Sequence, residues 1–360
     1  MFCPSRPKLI YTAHSSSSLM LHIDGSHGEG GGAILRVALG LSVLTGKPFR
    51  ITNIRSGRPK PGLKHEHLHC IRILQRVCDA KATDVALGSE EVTFIPGPVK
   101  STRFTYDLET AASTTLVAHS IILATAFSGK NIQLTLRGGT DVKWSIPADY
   151  LANVLKPALI PVADVTVQTV RRGYYPRGGG ELFVRVKGKA PGAPLAPLDF
   201  TERGKLMAIK GLAHATTELQ DAEVAERIAH AAKSVLAPLG APVALQCAYS
   251  TAASPGAHCV LWARFDKSGL LGASALGERG VRAETVGADA ARELAALIES
   301  KAVIDEHLAD LLVPFLGVCG GAFTTAAVTK HLTSNIAVTE QFLETTFSID
   351  GCDIRASTHK

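Results

Sequence analysis

A glycine-rich segment, DGSHGEGGGAILR at residues 24–36, surrounds one carboxylate, Glu29, and runs directly into a helical pattern. Glycine-rich turns at the start of a helix usually bind phosphate through backbone N–H groups. A carboxylate in such a turn repels phosphate unless a divalent cation lies between them, and Mg²⁺ typically takes one or two protein carboxylates together with phosphate oxygens. The segment therefore predicts a metal–nucleotide site, with Glu29 as a ligand of Mg²⁺ or Mn²⁺. A glycine-rich turn with an unrelated glutamate is the alternative, because the chain contains no GxxxxGK[ST] motif.

Three further segments carry groups that can handle a phosphate. They are RSGRPKPGLKH (55–65), with a cluster of cations, RGGTDVKWSIP (137–147), with Asp141 and Lys143, and TKHLTSN (329–335), with His331. In equivalent repeated units, the loops from strand to helix fall at equivalent positions and can converge on one edge. We therefore expect these cations, this carboxylate and this imidazole to form one phosphate-handling site.

Basic residues are concentrated in two parts of the chain, whose net charge is +6. Eight lysines and arginines lie between Lys47 and Arg76 against the single Glu66, and a second group surrounds Glu181: Arg171, Arg172, Arg177, Arg185, Lys187 and Lys189. Such clusters suit a polyanion, because each neutralised phosphate releases counterions. A solvated basic face is the alternative for the first cluster.

Several histidines are also candidates. His65, His67 and His69 alternate as ligands on a strand would, yet they begin a helical pattern that rotates by about 100° per residue. We expect them to extend the polyanion surface, with a metal site as the alternative. His307 and Asp310 lie three residues apart on one face of a predicted helix, where two side chains can share a ligand.

The composition argues against a membrane protein and against a disulfide-stabilised secreted one. A chain of 360 residues with 46% hydrophobic residues is long enough for two domains. No apolar run reaches the roughly 18–20 residues of a membrane span. The seven cysteines show no CxxC pairing, so we expect reduced thiols in a soluble cytoplasmic or nuclear protein. Residues 1–20 have the composition of a disordered leader, with an organelle-targeting peptide as the alternative, and no pattern indicates an obligate protein partner.

The elements that must position these groups recur along the chain. LHIDG predicts a strand, GGAILRVALGLSVLTG a helix, PFRITNIR a strand and LKHEHLHCIRILQRVCDA a helix, followed by a hairpin. The pattern restarts at TAASTTLVAHSIILATAFSGK, which begins the second repeat, and at DEHLADLLVPFLGVCGG, which begins the third. The last helix predicted in the third repeat is SNIAVTEQFL. The segment GKAPGAPLAPLDF is followed by a different order of predicted strands and helices. We therefore expect an inserted domain at 189–283 within a repeat-built domain at 21–188 and 284–352.

Four segments resemble those of the RNA 3′-terminal phosphate cyclases: IDGSHGEGGGAILR, IRSGRPKPGL, LRGGTDV and above all RGYYPRGGGEL at 172–182. The resemblance runs from about Leu21 to Gly351 and includes SPGAHCVLWA in the inserted segment. It implies an α/β (α+β) fold of three βαβαββ-like units packed around a common axis, with a smaller inserted α/β domain. This agrees with the repeats above.

The resemblance also implies an activity. With ATP, the family converts an RNA 3′-phosphate end into a 2′,3′-cyclic phosphate and releases AMP and pyrophosphate. Its nucleophilic histidine lies in an H-x-x-[TS]-N-like stretch, which here assigns His331, and a neutral imidazole can attack the α-phosphorus of ATP and then leave. The implied nucleotide contacts are Glu29, His119, Pro147, His307, Asp310 and Leu311. The implied RNA phosphate contacts are Arg36, Arg55, Arg58 and Lys60.

Some positions depart from the family pattern. His119 and Leu311 replace glutamines, His307 replaces a tyrosine, Ile146 a proline and Glu66 a glutamine. We therefore expect different contacts to the adenosine of ATP, whereas the nucleophile and the glycines are intact. Two other functions stay open. One is an RNA-binding ribosome-assembly factor of the same fold that does not adenylate, and the other is an enolpyruvyl transferase of a related repeat fold; His331 argues against both.

Overall fold

The computed structural model describes residues 20–359, so the predicted leader at 1–20 lies, except for Met20, outside the described residues. The first repeated unit consists of β1 (Leu21–Asp24), α1 (Ala33–Thr45), β2 (Phe49–Thr52), α2 (His65–Cys78), β3 (Lys81–Thr83) and β4 (Val92–Ile95). The second consists of β5 (Thr102–Asp107), α3 (Thr114–Thr125), β6 (Asn131–Gly138), α4 (Ala148–Tyr150), a π-helical turn (Leu151–Leu155), α5 (Lys156–Ala158), β7 (Asp164–Arg171) and β8 (Gly180–Lys187).

The third unit begins with β9 (Leu198–Phe200) and is then interrupted. The inserted unit consists of β10 (Leu206–Thr216), α6 (Val224–Leu236), β11 (Val243–Ser250), β12 (Ala257–Phe265), β13 (Leu270–Leu276) and α7 (Ala283–Glu299), with 3₁₀ turns at Thr217–Leu219 and Ala237–Leu239. The third unit resumes with α8 (Glu306–Cys319), β14 (Gly321–Thr324), α9 (Lys330–Phe342), β15 (Thr345–Asp350) and β16 (Asp353–Thr358).

The three repeated units share one strand topology. Their sheets have the orders β1-β2-β4-β3, β5-β6-β8-β7 and β9-β14-β16-β15, in which the first two strands are parallel and the other pairs antiparallel. This confirms the α/β fold of three βαβαββ-like units. The sequence pattern did not predict β5 and β9, the first strands of the second and third units.

The helices that open the three units are central to the main core. Nearly every residue of α1 and α3 is buried, which explains why their sequences are apolar on most faces, and most residues of α8 are buried too. Helix α3 packs against both α1 and α8. A Cβ at Gly40 of α1 would lie 2.7 Å from Cδ2 of Leu123 in α3, so glycine permits the close approach of these two helices.

The inserted unit has its own sheet, in the order β11-β10-β12-β13, and its own core. We expected the insertion to end at residue 283. Helix α7, which begins there, instead packs against α6, β12 and β13, and this second core extends to Ala302. At the other end, β9 lies within the predicted insertion but pairs with β14 of the third repeat. A change in the repeat pattern of the sequence does not show on which sheet a helix or strand packs.

A buried chain of hydrogen bonds joins the second repeat to the inserted unit. Its outer member is Ser250 Oγ, 2.8 Å from Nε2 of His214, whose Nδ1 lies 2.7 Å from Oη of Tyr174. The same hydroxyl lies 2.9 Å from Nδ1 of His258, whose Nε2 lies 3.0 Å from Oδ2 of Asp149. Because a carboxylate only accepts, His258 donates to Asp149 from Nε2. Burial lowers the pKa of His214 to about 3, which keeps it neutral.

Arg172, in the RGYYP segment, completes this junction. Its guanidinium donates to both oxygens of Asp149, at 2.6 and 3.0 Å, and to Asp141 at 3.2 Å. Burial alone would raise the pKa of Asp149, but the bonds from His258 and Arg172 hold it below its ordinary value. The junction is therefore a fully paired ionic contact.

The sequence also predicts that the protein does not span a membrane and that its cysteines are reduced. Within residues 20–359, no helix combines the length and the apolar character needed to cross a bilayer. The six cysteines in this range are all unpaired, as expected for thiols.

Removing the Tyr174 hydroxyl tests the buried hydrogen-bond chain that joins the second repeat to the inserted unit. Tyr174→Phe leaves a nitrogen of His214 and one of His258 without partners in a buried site, so the free energy of unfolding should fall by about 1–3 kcal/mol. Urea titration measures the change. Tyr175→Phe is the matched control, because Tyr175 is 77% exposed, and equal stability of the two variants would contradict the assignment.

Candidate active site

Glu29 and His331 meet at the contact between the first and third repeats. Oε2 of Glu29 lies 2.9 Å from Nδ1 of His331, and the other carboxylate oxygen pairs with Arg58. The backbone N–H of Glu29 donates to Oγ of Ser334, at 3.2 Å. The glycine-rich turn and the last helix of the third repeat thus form one site.

Two glycines of the turn are required by close packing. Gly28 has a φ of +61°, and a Cβ there would lie 2.2 Å from Oγ of Ser334. A Cβ at Gly32 would lie 1.9 Å from Nε2 of His67. Side chains at these positions would push α9 or α2 away from the turn, so part of the glycine content serves the assembly of the site.

His331 lies in the first turn of α9. We expected the segment 329–335 to be a loop and the helix to begin at residue 334, but α9 begins at Lys330 because the Thr329 hydroxyl accepts from the N–H of Leu332, at 2.9 Å. Helix α1 begins at the same site, and its N-cap, Gly32, has no side chain to satisfy the first N–H groups. Two helix N-termini, whose N–H groups and dipoles favour anions, therefore flank the contact.

The 2.9 Å contact with Glu29 favours one tautomer of His331. A carboxylate only accepts, so the proton of the neutral ring is favoured on Nδ1, and Nε2 then keeps its lone pair. Burial lowers the pKa of His331, and the charges of Arg36 and Arg58 lower it further. The Glu29 carboxylate acts in the opposite direction, but Arg58 neutralises it, so we expect the lowering to prevail.

The four predicted phosphate contacts divide into two groups. Arg36 and Arg58 lie close enough to His331 to depress its pKa. Arg55, at a φ of +56°, instead braces its own loop through bonds to the carbonyls of Lys60 and Gly62, at 2.7 and 3.2 Å. The side chain of Lys60 is exposed. Their contacts with RNA stay a prediction.

Arg36 is a cation beneath the glycine-rich turn. Its Nη1 lies 3.4 Å from Nε2 of His67, and burial lowers the pKa of that histidine to about 3, so His67 contributes no charge. Among residues 20–359, no carboxylate forms an ion pair with Arg36. The cation is therefore available for an anionic ligand beside His331.

Asp310 holds the start of α9 in place. Its Oδ1 accepts from the hydroxyl of Thr329, at 2.6 Å, and its backbone carbonyl accepts from Nδ2 of Asn335, at 2.8 Å. Burial raises the pKa of the Asp310 carboxyl to about 7, and nearby Glu306 raises it too, while the Thr329 bond and His307 oppose the rise. Sequence reasoning missed Thr329, Ser334 and Asn335 as site residues, although a threonine three residues before Leu332 is a helix-capping signal.

Two departures from the family pattern touch one another. Nε2 of His119 lies 3.0 Å from the carbonyl of Leu311, and the ring packs edge-on against Phe315. Burial lowers the pKa of His119 to about 4, so the ring is neutral at neutral pH. Pro147 N-caps α4 at the end of the loop after β6, and His307 is exposed at the start of α8. The nucleotide contacts of these residues stay predictions.

The expected convergence of three loops is wrong for the second repeat. Asp141 is fully buried and bonded to Arg172, while Lys143 pairs with Glu278 of the inserted unit. Both charges are therefore neutralised within the protein. In the described residues 20–359, the loops that meet at His331 are those of the first and third repeats.

Several other predicted polyanion contacts are engaged internally. In the first cluster Lys47 donates to the carbonyl of Phe342, Arg50 pairs with Glu91 and Arg76 stacks on Phe104. In the second cluster, Arg171 pairs with Glu181 and Arg185 pairs with Asp164. Arg172 pairs with Asp141 and Asp149. His67 and His69 are buried, which contradicts their expected place on a polyanion surface, and they form no metal-ligand group in residues 20–359.

The residues around Glu29 fit a divalent cation in one respect and not in another. In the described part of the chain, the groups spaced to hold a metal are Asp141, Asp149 and His258, where Arg172 already neutralises the carboxylates, and Glu293, Glu306 and His307. Glu29 belongs to neither group. As a single carboxylate it has the donor chemistry that Mg²⁺ takes beside phosphate oxygens, but both of its oxygens are engaged, so a metal would have to displace Arg58.

Comparison with known proteins decides the family. A model of the family described as RNA 3′-terminal phosphate cyclase matches residues 27–349. The chain belongs to this family. A family member from Pyrococcus furiosus, named RNA 3′-terminal phosphate cyclase, is 41% identical over 333 residues, which cover 92% of this chain and 96% of the relative. Proteins of the same name from Methanopyrus kandleri and Saccharolobus solfataricus are each 39% identical, over 92% of this chain and 96% and 97% of their own.

The raised pKa of Asp310 predicts a pH-dependent contribution to stability. Between about pH 4 and pH 7 the unfolded chain has lost this proton while the folded chain keeps it, so the free energy of unfolding should fall as the pH rises through this window. Asp310→Asn removes that contribution, and urea titrations between about pH 5 and pH 8 should show a shallower fall than in the wild type. Asp221→Asn, at an exposed position, is the control, and an unchanged slope in Asp310→Asn would contradict the assignment.

Proposed function

We propose that this protein converts an RNA 3′-terminal phosphate into a 2′,3′-cyclic phosphate with ATP, through a covalent His331–AMP intermediate. The observation that carries the proposal is the 2.9 Å contact between Nδ1 of His331 and Oε2 of Glu29, which favours a proton on Nδ1 and a free lone pair on Nε2. Family membership and the names of the relatives support the reaction class.

In the first step Nε2 of His331 attacks the α-phosphorus of ATP. A P–N bond forms, the bond between the α-phosphorus and its bridging oxygen to the β-phosphate breaks, and pyrophosphate leaves. Nδ1 keeps its proton and its bond to Glu29, which stabilises the positive charge that develops on the ring. Arg36, Arg58 and the N-termini of α1 and α9 are suited to stabilise the charge on the phosphates.

In the second step an oxygen of the RNA 3′-phosphate attacks the phosphorus of the His331–AMP adduct. The P–N bond breaks, the imidazole regains the lone pair on Nε2, and AMP is joined to the RNA end through a new phosphoanhydride. The neighbouring 2′-hydroxyl then attacks the terminal phosphorus, which closes the 2′,3′-cyclic phosphate and releases AMP. Loss of the hydroxyl proton balances this step.

We infer a second role for Glu29, as the ligand of Mg²⁺ or Mn²⁺ bound together with ATP. When bound, the cation would neutralise charge on the triphosphate. Arg58, which is 42% exposed at its side chain, would release the carboxylate and turn to the phosphates. The same carboxylate would still orient His331 through its other oxygen.

A covalent intermediate makes the reaction testable without RNA. Incubation with Mg²⁺ and α-labelled ATP should leave acid-labile, alkali-stable label on the protein, because protonation makes the imidazole a good leaving group. His331→Asn should abolish labelling and keep the fold, since helix propensities of ordinary residues differ by less than about 1 kcal/mol. His230→Asn, an exposed position on α6, should label normally.

Label that persists in His331→Asn would show that another residue is the nucleophile, with His307 the next candidate. A wild-type protein that never labels with any divalent ion but binds structured RNA would instead be an assembly factor. The His119–Leu311 bond at positions expected to contact the nucleotide is the observation that favours this second function.

Two substitutions separate the roles of Glu29. Glu29→Gln keeps an acceptor for Nδ1 of His331 but removes the charge, so labelling should require much higher Mg²⁺ or Mn²⁺. Glu29→Ala removes the acceptor too, so its labelling should be slower at every metal concentration. Titration of the labelling rate with each metal is the measurement, and an unaltered metal requirement in Glu29→Gln would exclude the metal role.

A further inference from the structure

Trp144 has the largest exposed fraction, 94%, among the large apolar side chains that are exposed in residues 20–359. Its backbone lies in the left-handed region, with a φ of +59°, which is costly for a bulky residue. The surrounding loop holds this conformation: Oγ of Ser145 donates to the carbonyl of Val142 at 2.9 Å, and the N–H of Ala148 donates to the carbonyl of Thr140 at 3.0 Å. The loop therefore presents an unburied aromatic ring on a fixed support.

Contacts connect this loop to the active site. The carbonyl of Ile146 accepts from the hydroxyl of Thr115, at 2.7 Å. Thr115 lies one helical turn before His119 on α3, and His119 contacts Leu311 on α8. Leu311 follows the aspartate that anchors the start of α9. The Trp144 loop is thus bonded to α3, and α3 contacts α8, the helix that carries Asp310.

The surroundings of the ring favour a nucleic acid. The neighbouring loop carries Tyr175, which is 77% exposed, and the exposed cation Arg177, which has no ion pair among the described residues. The N–H of Thr140 joins the two loops through a bond to the carbonyl of Gly173, at 2.9 Å. Trp144 itself lies between the polar Lys143 and Ser145. Exposed aromatic rings beside cations are the means by which proteins bind single-stranded RNA, since any base can stack on such a ring.

We propose that Trp144 is a stacking platform for a nucleobase of the RNA substrate. This inference rests on the proposed function, because it takes RNA as the ligand of the protein. A stacked base would add affinity for the strand without selecting a sequence, because all four bases have a stacking face.

Fluorescence provides a direct test, because the chain contains only two tryptophans. Trp262→Phe, on β12 of the inserted unit, leaves Trp144 as the single tryptophan. A single-stranded oligoribonucleotide of about six nucleotides with a 3′-phosphate, added without ATP, should quench its emission in parallel with binding measured by anisotropy. An oligonucleotide of the same length with abasic nucleotides should bind more weakly and quench less.

Substitution gives the matching affinity measurement. Stacking on an aromatic side chain contributes about 1–3 kcal/mol per base, so Trp144→Ala should raise the Kd for this RNA by about 5- to 150-fold. Trp144→Phe, which keeps an aromatic face, should restore most of the affinity. The two variants share the same backbone requirement, so a difference between them reports the ring.

The inference is overturned if Trp144→Ala binds RNA as the wild type does, or if RNA leaves the emission of Trp144 unchanged. A second copy of the chain would be the occupant of the ring if Trp144→Ala dissociates a dimer in sedimentation while the RNA Kd is unchanged. RNA binding is measured without ATP, so its outcome is separate from the labelling of His331. Quenching without labelling would overturn the proposed function alone, and labelling without quenching would overturn this inference alone.

Discussion

The contact between Glu29 and His331 is the interaction on which the site depends. It joins a turn of the first repeat to a helix of the third, so it forms only when the repeats have closed on each other. The geometry around it is tightly constrained: Gly28 and Gly32 leave room for Ser334 and His67, and Thr329 starts the helix early enough to place the imidazole in its first turn. The same contact favours Nε2 as the ring nitrogen that is free to react.

Burial removes charge from most of the surrounding polar groups. His67 and His119 are neutral because burial depresses their pKa, and burial raises the pKa of Asp310 to about 7. The cations that act on His331 are Arg36 and Arg58, with Glu29 and Glu66 as nearby carboxylates. The cations that suit a phosphate ligand are therefore a few residues and not the many cations of the sequence.

The second repeat contributes structure where the first and third contribute chemistry. Its loop holds Asp141 in the ionic contact with Arg172, and the adjoining hydrogen-bond chain through Tyr174 ties the repeat to the inserted unit. The RGYYPRGGG segment that carries the resemblance most specifically is thus a joint between two parts of the molecule. Its specificity as a sequence motif follows from the close fit of a buried polar network, in which each member needs its partner.

The sequence by itself predicted the repeats and singled out Glu29, because apolar periodicity and glycine-rich turns are local properties of the chain. Contiguous motifs carried the resemblance that implied the family fold and the role of His331. The sequence did not determine β9, whose three residues become a strand only by pairing with β14, or the true start of α9. It also could not separate Arg58, which meets Glu29, from Arg172, which is buried in a structural ion pair. Both are arginines in basic, glycine-containing segments of the sequence. The tertiary structure decided that Arg172 is buried against carboxylates and that Arg58 lies beside His331. The physical reason is that the energy of a charge depends on its neighbours in space.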